Sequence, residues 1–102
     1  MNKKYKDLLT DIIKKGHPFF ISVKGNSMFP TIKDGDMVKI IPQKEYSIGT
    51  IVAYMYEGGC GYKIIVHRIV AMRKKCYYLK GDNNTKCDYP IKFEDILGAI
   101  VH

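Results

Sequence analysis

The stretch Lys63-Ile64-Ile65-Val66-His67-Arg68-Ile69-Val70-Ala71-Met72 is the longest β-like run in the chain. Side chains alternate between the two sides of an extended strand, so Ile65, His67 and Ile69 share one face. His67 therefore has apolar neighbours on its own face. A histidine in such a place is ordinarily a core residue, although an imidazole is also well suited to general-base work near neutral pH.

Outward from this run, the chain from His17 onward is divided into short apolar segments by turn residues. Asp34-Gly35, the glycines within 58–61 and the polar stretch 81–90 supply the turns. The segments predicted to be strands are 19–24, 37–41, 50–56, 63–72, 76–79 and 96–101. This pattern predicts a mainly β domain built on a coiled antiparallel β-sheet.

Before the first strand, apolar residues recur with the spacing of one helix face. These residues are Tyr5, Leu8, Leu9, Ile12 and Ile13. Lys14 and Lys15 form a basic last turn, and Gly16 is a typical stop. We therefore predict a short N-terminal amphipathic helix of about three turns, which caps the β core.

Length and composition limit the organisation of the protein. A chain of 102 residues, 46% hydrophobic and 26% charged, fits one globular domain over 1–102, with the helix in 1–16 and the β core in 19–101. No stretch approaches the roughly 18 to 20 apolar residues that cross a bilayer, and no secretory signal is present. We expect a soluble cytoplasmic protein. A second interpretation places the helix face on a membrane surface or against a membrane protein.

Charge and cysteine usage bear on partners and cofactors. Fifteen lysines and two arginines give a net charge of +7, which favours acidic partners. So few arginines make a nucleic-acid partner unlikely. Cys60, Cys76 and Cys87 are odd in number and lack the paired spacing of a zinc site. We predict reduced thiols, no metal and no cofactor.

Ser27 lies in the segment Gly25-Asn26-Ser27-Met28-Phe29-Pro30-Thr31. A turn bounded by Gly25 and Pro30 can aim both the hydroxyl and the backbone N–H of this serine at a bound carbonyl group. Because a serine hydroxyl needs a base to accept its proton, Ser27 and the strand histidine His67 form a chemically sensible pair.

Three segments of the chain, in the same order, resemble those of a known superfamily. Residues 25–31 with Gly35-Asp36 resemble the nucleophile segment of the signal peptidase and LexA-like serine peptidases (S24/S26-like). Residues 65–70, and residues 80–84 with Asp88 beyond them, resemble the corresponding segments of the endoplasmic-reticulum and archaeal type of signal peptidase. The resemblance covers about 23–101 and implies the coiled β fold of that superfamily, here without a transmembrane anchor.

The resemblance assigns roles to individual residues. It implies that Ser27 is the nucleophile and that His67 is the base, the role that lysine fills in bacterial signal peptidases and LexA. Asp88 is the first choice to orient the imidazole; Asp82 is the alternative, or braces its own loop by bonds to following N–H groups. Lys63 could compete as the base, but it lies roughly 13 Å from His67 along an extended strand.

Three further residues are expected to support the site or the fold around it. Many relatives carry a hydroxyl two residues before the nucleophile as part of the oxyanion hole, whereas Gly25 stands there in this chain. Loss of one such donor can slow turnover. Met28 is expected to point into the core or an apolar substrate region, and Asp36 to be structural.

The resemblance implies a soluble serine endopeptidase that cleaves an extended peptide or preprotein, for example at a leader peptide. The alternative is a catalytically silent peptide-binding or regulatory module of the same fold. A self-cleaving repressor of the LexA type is not favoured, because the alanines of the chain precede Tyr54, Met72 and Ile100 rather than glycine.

Overall fold

The computed structural model describes residues 3–59 and 61–102, so the predictions for Cys60, Met1 and Asn2 lie outside the described residues. Within these ranges the elements are α1 (Lys3–Lys14), β1 (Phe19–Ser22), β2 (Met37–Ile41), β3 (Ile51–Gly58), β4 (Gly61–Arg73), β5 (Cys76–Lys80), β6 (Ile91–Lys92), a 3-10 turn (Phe93–Asp95) and β7 (Ile96–Val101). The strands form one sheet in the order β1-β2-β7-β3-β4-β5-β6, with each neighbouring pair antiparallel. The predicted mainly β fold is confirmed.

The strand boundaries follow the sequence pattern closely. The predicted bounds of β2 and β7 are those of the structure, and β3, β4 and β5 differ from prediction by at most two residues at either end. β1 ends two residues earlier than predicted, because the chain turns into a loop at Val23. β6 and the 3-10 turn were not predicted, since elements of two and three residues carry no readable period.

The long strand β4 pairs with two neighbouring strands. Its first part pairs with β3 from Gly61 to Arg68, and its second part pairs with β5, with a register shift between Ile69 and Ala71. β4 therefore contributes to two apolar clusters. The first cluster contains Val23, Met28, Ile32, Val38, Ile40, Ala53, Val66 and Leu97. The second cluster contains Tyr46, Val52, Tyr54, Ile69, Tyr77, Leu79, Ile96 and Ala99.

Helix α1 packs against β4 and β7 through part of its apolar face. Leu9 is buried and Ile13 packs against the first cluster, whereas Tyr5 and Leu8 remain 52% and 57% exposed. Gly16 adopts a φ of 75° just past the helix and donates to the carbonyl of Ile13, which ends the helix in the usual way. Among the described residues, no helix has the length and apolar character needed to span a bilayer.

Candidate active site

Ser27 lies in the loop of residues 23–36, between β1 and β2. Two backbone hydrogen bonds close the base of this loop. The N–H of Val23 donates to the carbonyl of Asp36 at 2.9 Å, and the N–H of Gly35 donates to the carbonyl of Val23 at 2.7 Å. The loop therefore leaves and re-enters the sheet at a fixed position, with Ser27 near its middle.

Met28 anchors the loop to the protein interior. Its side chain is 1% exposed and belongs to the first cluster, so of the two places predicted for Met28 the structure shows the core. Its carbonyl accepts a hydrogen bond from the N–H of Ile32, and its sulfur accepts one from the N–H of Asp82 at 3.3 Å. Burial of Met28 therefore fixes the residue that directly follows the serine.

The segment 81–84 braces Ser27 from a second direction. Asn83 donates its backbone N–H to the carbonyl of Ser27 at 2.8 Å and its side-chain amide to the carbonyl of Asn26 at 3.1 Å. Gly81 approaches so closely that a Cβ there would lie 2.6 Å from the carbonyl oxygen of Ser27. Only glycine permits this contact. Asn83 had no role in the sequence prediction.

Asp82 links the two loops through its carboxylate. The hydroxyl of Thr31 donates to Oδ2 at 2.7 Å, and the guanidinium of Arg68 donates to Oδ1 at 2.9 Å and to Oδ2 at 2.8 Å. Hydrogen bonding from Arg68, assisted by Thr31, lowers the pKa of Asp82 to about 2. Asp82 thus braces the site through partners distant in sequence, and not through the following N–H groups as the loop interpretation had it.

His67 connects the loop of residues 23–36 to Asp88 through hydrogen bonds. Its Nε2 lies 3.2 Å from Oγ of Ser27, and its Nδ1 lies 2.6 Å from Oδ2 of Asp88. A carboxylate beside Nδ1 favours the tautomer in which Nδ1 carries the proton, so Nε2 is left to accept the hydroxyl proton of Ser27. His67 as a whole is 7% exposed. The structure therefore brings Ser27, His67 and Asp88 together in one chain of hydrogen bonds.

The three hydrogen-bonded residues are positioned by the sheet and by two loops that leave it. His67 lies opposite Val52 in the ladder between β4 and β3. Asp88 lies in the irregular segment after β5, where its N–H donates to the carbonyl of Leu79 at 2.7 Å. The sheet thus sets the separation between the base and the acid, while the loop of residues 23–36 brings the hydroxyl to the base.

Tyr54 is a fourth member that the sequence prediction missed. Its hydroxyl donates to Oδ2 of Asp88 at 2.7 Å, and its ring lies edge-on to the imidazole of His67 with the centroids 6.4 Å apart. In the ladder, Tyr54 is two residues beyond the partner of His67 on β3, and so shares its face. That relation requires the strand register, which the sequence pattern alone does not give.

The remaining predicted site residues occupy other places. Gly25 has a φ of 86°, and its N–H donates to Oδ1 of Asp34 at 2.6 Å. A side chain at Gly25 would be strained by this conformation. The ammonium of Lys63 lies over the ring of Tyr56, 5.5 Å from its centroid. Asp36 accepts from the N–H of Lys33.

A cleft of about 560 Å³ has Ser27 and His67 in its lining. Residues 21–24 and residues 62–66, here called its two walls, line the cleft together with Tyr5, Ser27 and His67. Within the described part of the chain, β1 is an end strand of the sheet, and the half of β4 before Arg68 is paired only with β3. Both walls therefore present strand edges that can pair with another extended chain.

The described residues contain no group of three or more His, Cys, Asp or Glu side chains arranged to hold a metal ion. Cys76 and Cys87 are free thiols.

Comparison with known proteins gives the family. None of the curated proteins matches the chain. Residues 2–101 match the family model described as Peptidase S24-like. This match includes the loop of residues 23–36, both walls of the cleft and the segment that carries Asp82 and Asp88. Because it covers nearly the whole chain, the chain belongs to the Peptidase S24-like family.

Proposed function

We propose that the protein is a serine endopeptidase in which Ser27 is the nucleophile, His67 the general base and Asp88 the group that orients His67. The observation that carries this proposal is the continuous contact from Oγ of Ser27 through both imidazole nitrogens to the carboxylate of Asp88. Catalysis of this kind needs a nucleophile, a base and an orienting group within hydrogen-bond reach of one another.

The proposed reaction is acyl transfer. His67 takes the proton of Ser27 on Nε2 while Oγ bonds to the peptide carbonyl carbon, and the carbonyl electron pair moves to the oxygen. The imidazolium then gives this proton to the leaving amine as the C–N bond breaks, which leaves an ester on Ser27. Water attacks the ester, with His67 again accepting and returning the proton, and the acid product and free Ser27 are released.

The substrate that fits the cleft is an extended peptide. Its two walls are strand edges, so a bound chain adds main-chain hydrogen bonds on one or both sides. The resemblance to signal peptidases suggests the substrate class, which is a leader or signal-type peptide with small residues beside the cleaved bond. Lys24 and Lys63 line the cleft together with apolar residues, and no carboxylate of the described residues does. An acidic side chain on the peptide is therefore favoured over a basic one.

The experiment is covalent labelling of the serine. The intact protein is treated with fluorophosphonate and β-lactam-type acylating probes, and adducts are located by mass spectrometry. We expect one adduct on Ser27 that is lost in Ser27→Ala and falls by about 10³-fold or more in rate in His67→Ala. Ser47→Ala is the matched control, because Ser47 is exposed and lies outside the cleft. It should label like the unmodified protein.

A silent peptide-binding module is the second candidate, favoured by one observation. The position that supplies a second oxyanion donor in many relatives is Gly25, which has no side chain to donate. If folded protein forms no adduct at any pH with any probe, the peptidase proposal is rejected. Binding of extended peptides to the same cleft, measured by fluorescence polarisation, then tests the module.

A further inference from the structure

One carboxylate oxygen at the candidate active site accepts two hydrogen bonds. Oδ2 of Asp88 lies 2.6 Å from Nδ1 of His67 and 2.7 Å from the hydroxyl oxygen of Tyr54. The negative charge that would stabilise a protonated His67 is therefore shared with a second donor. In a relay, this sharing affects both the direction and the strength of the bond to the imidazole.

Tyr54 is held rigidly and donates at every relevant pH. It lies in β3, is 3% exposed and belongs to the second cluster. Burial, followed by its hydrogen bond to Asp88, raises the pKa of the Tyr54 phenol above its ordinary value. The hydroxyl therefore keeps its proton and remains a donor, since Asp88 as a carboxylate has none to give.

Asp88 needs such a second anchor. It lies in the irregular segment between β5 and β6, and the backbone bond to Leu79 fixes its main chain but not the rotation of its carboxylate. The hydroxyl of Tyr54 fixes that rotation from the rigid strand β3. Among the described residues, the other charged side chains that line the cleft with His67 are those of Lys24 and Lys63, while Arg68 is paired with Asp82.

We propose that Tyr54 is a positioning residue that, through Asp88, aligns His67 and weakens the hold of the carboxylate on the imidazolium. Without the hydroxyl, Oδ2 concentrates its charge on Nδ1–H alone, which stabilises the imidazolium relative to the neutral imidazole. Less neutral base is then available to accept the proton of Ser27. This inference rests on the proposed function for its effect on rate, but its structural part is independent of turnover.

The test substitutes Tyr54→Phe, with Tyr56→Phe as the matched control on the same strand. Tyr56 is 43% exposed and faces Lys63, so its hydroxyl can be removed without touching Asp88. The first readout is the low-field proton NMR resonance of His67 Nδ1–H. We expect it to move further downfield in Tyr54→Phe and not in Tyr56→Phe.

The second readout is the rate of acylation of Ser27 as a function of pH. In Tyr54→Phe the acid limb should move to higher pH by about half a unit, which is roughly a threefold loss of rate on that limb. Folding of each variant is checked by circular dichroism. An unshifted resonance, or a rate lowered equally at every pH, overturns the proposal. If no variant acylates at all, the proposed function fails while the NMR readout still decides this inference.

Discussion

Asp82 and Asp88 lie six residues apart in one irregular segment, yet they sit in two different networks. Asp82 is bound by the permanently charged Arg68 and by the hydroxyl of Thr31. Asp88 is bound by His67, which can gain and lose a proton, and by Tyr54. The comparison teaches that the partner decides the use of a carboxylate. A fixed cation makes Asp82 a brace, whereas the imidazole partner of Asp88 gives that carboxylate the proposed role of orienting group.

The largest expected effect separates the two aspartates by activity. Asp88→Asn should lower the acylation rate of Ser27 by about 10³-fold to 10⁴-fold, because the amide favours the wrong tautomer of His67. Asp82→Asn should lower it far less. The measurement is the rate of labelling of the two variants side by side. An Asp82→Asn variant that loses as much rate as Asp88→Asn would erase the proposed distinction.

The next largest effect is expected from a steric test of the contact between the segment 81–84 and Ser27. In Gly81→Ala, the new Cβ meets the carbonyl oxygen of Ser27 at 2.6 Å and the amide nitrogen of Asn84 at 2.7 Å. We expect a loss of about 1 to 3 kcal/mol in the free energy of unfolding, measured by urea denaturation. Gly59→Ala is the control, since a Cβ there meets nothing within 4 Å. Equal stability of the two variants would mean that this approach is relaxed in solution.

A smaller effect should appear in the stability of Asp82→Asn. Loss of the charge from a hydrogen-bonded, partly exposed pair should cost about 1 to 2 kcal/mol of unfolding free energy. Asp95→Asn is the control, because Asp95 is exposed. It should change stability by less than about 0.5 kcal/mol. If the two variants melt alike, Arg68 and Asp82 do not brace the site.

The same carboxylate predicts how stability depends on pH. The pKa of Asp82 in the folded protein, about 2, lies below that of an unfolded aspartate. Its contribution is therefore present above about pH 4 and is lost as the pH falls from there towards about 2. We expect the melting temperature of the unmodified protein to fall more steeply than that of Asp82→Asn over this window. Parallel melting curves would contradict the assignment.

The smallest expected effect concerns the cleft and leaves both networks intact. Lys24→Glu in a Ser27→Ala background should weaken binding of an acidic peptide, and favour its basic counterpart, by up to about fivefold. Fluorescence polarisation at low and high salt measures this. Lys92→Glu, an exposed change outside the cleft, is the control. If both variants change binding equally, the preference reflects net charge and not the cleft.

The local pattern of turn residues and apolar residues was sufficient to predict most of the secondary structure. Strands β2 and β7 were predicted with their observed bounds, because turn residues interrupt the sequence directly before or after alternating apolar runs. β6 could not be predicted, since Ile91 and Lys92 form a strand only by pairing with Tyr77 and Cys76. The apolar face of α1 was read correctly as a pattern, but only packing shows that Leu9 is buried while Leu8 is not.

The sequence by itself determined which side chains were candidates for the site. They are a serine in a turn bounded by Gly and Pro, one histidine in a strand, and two aspartates. Which aspartate meets the imidazole was decided only by the tertiary structure, as was the entry of Tyr54. The physical reason is range. Turn residues and alternation act between near neighbours, whereas the contacts of His67 with Ser27 and Asp88 span 40 and 21 residues. Such contacts depend on strand register and loop closure, which no local pattern encodes.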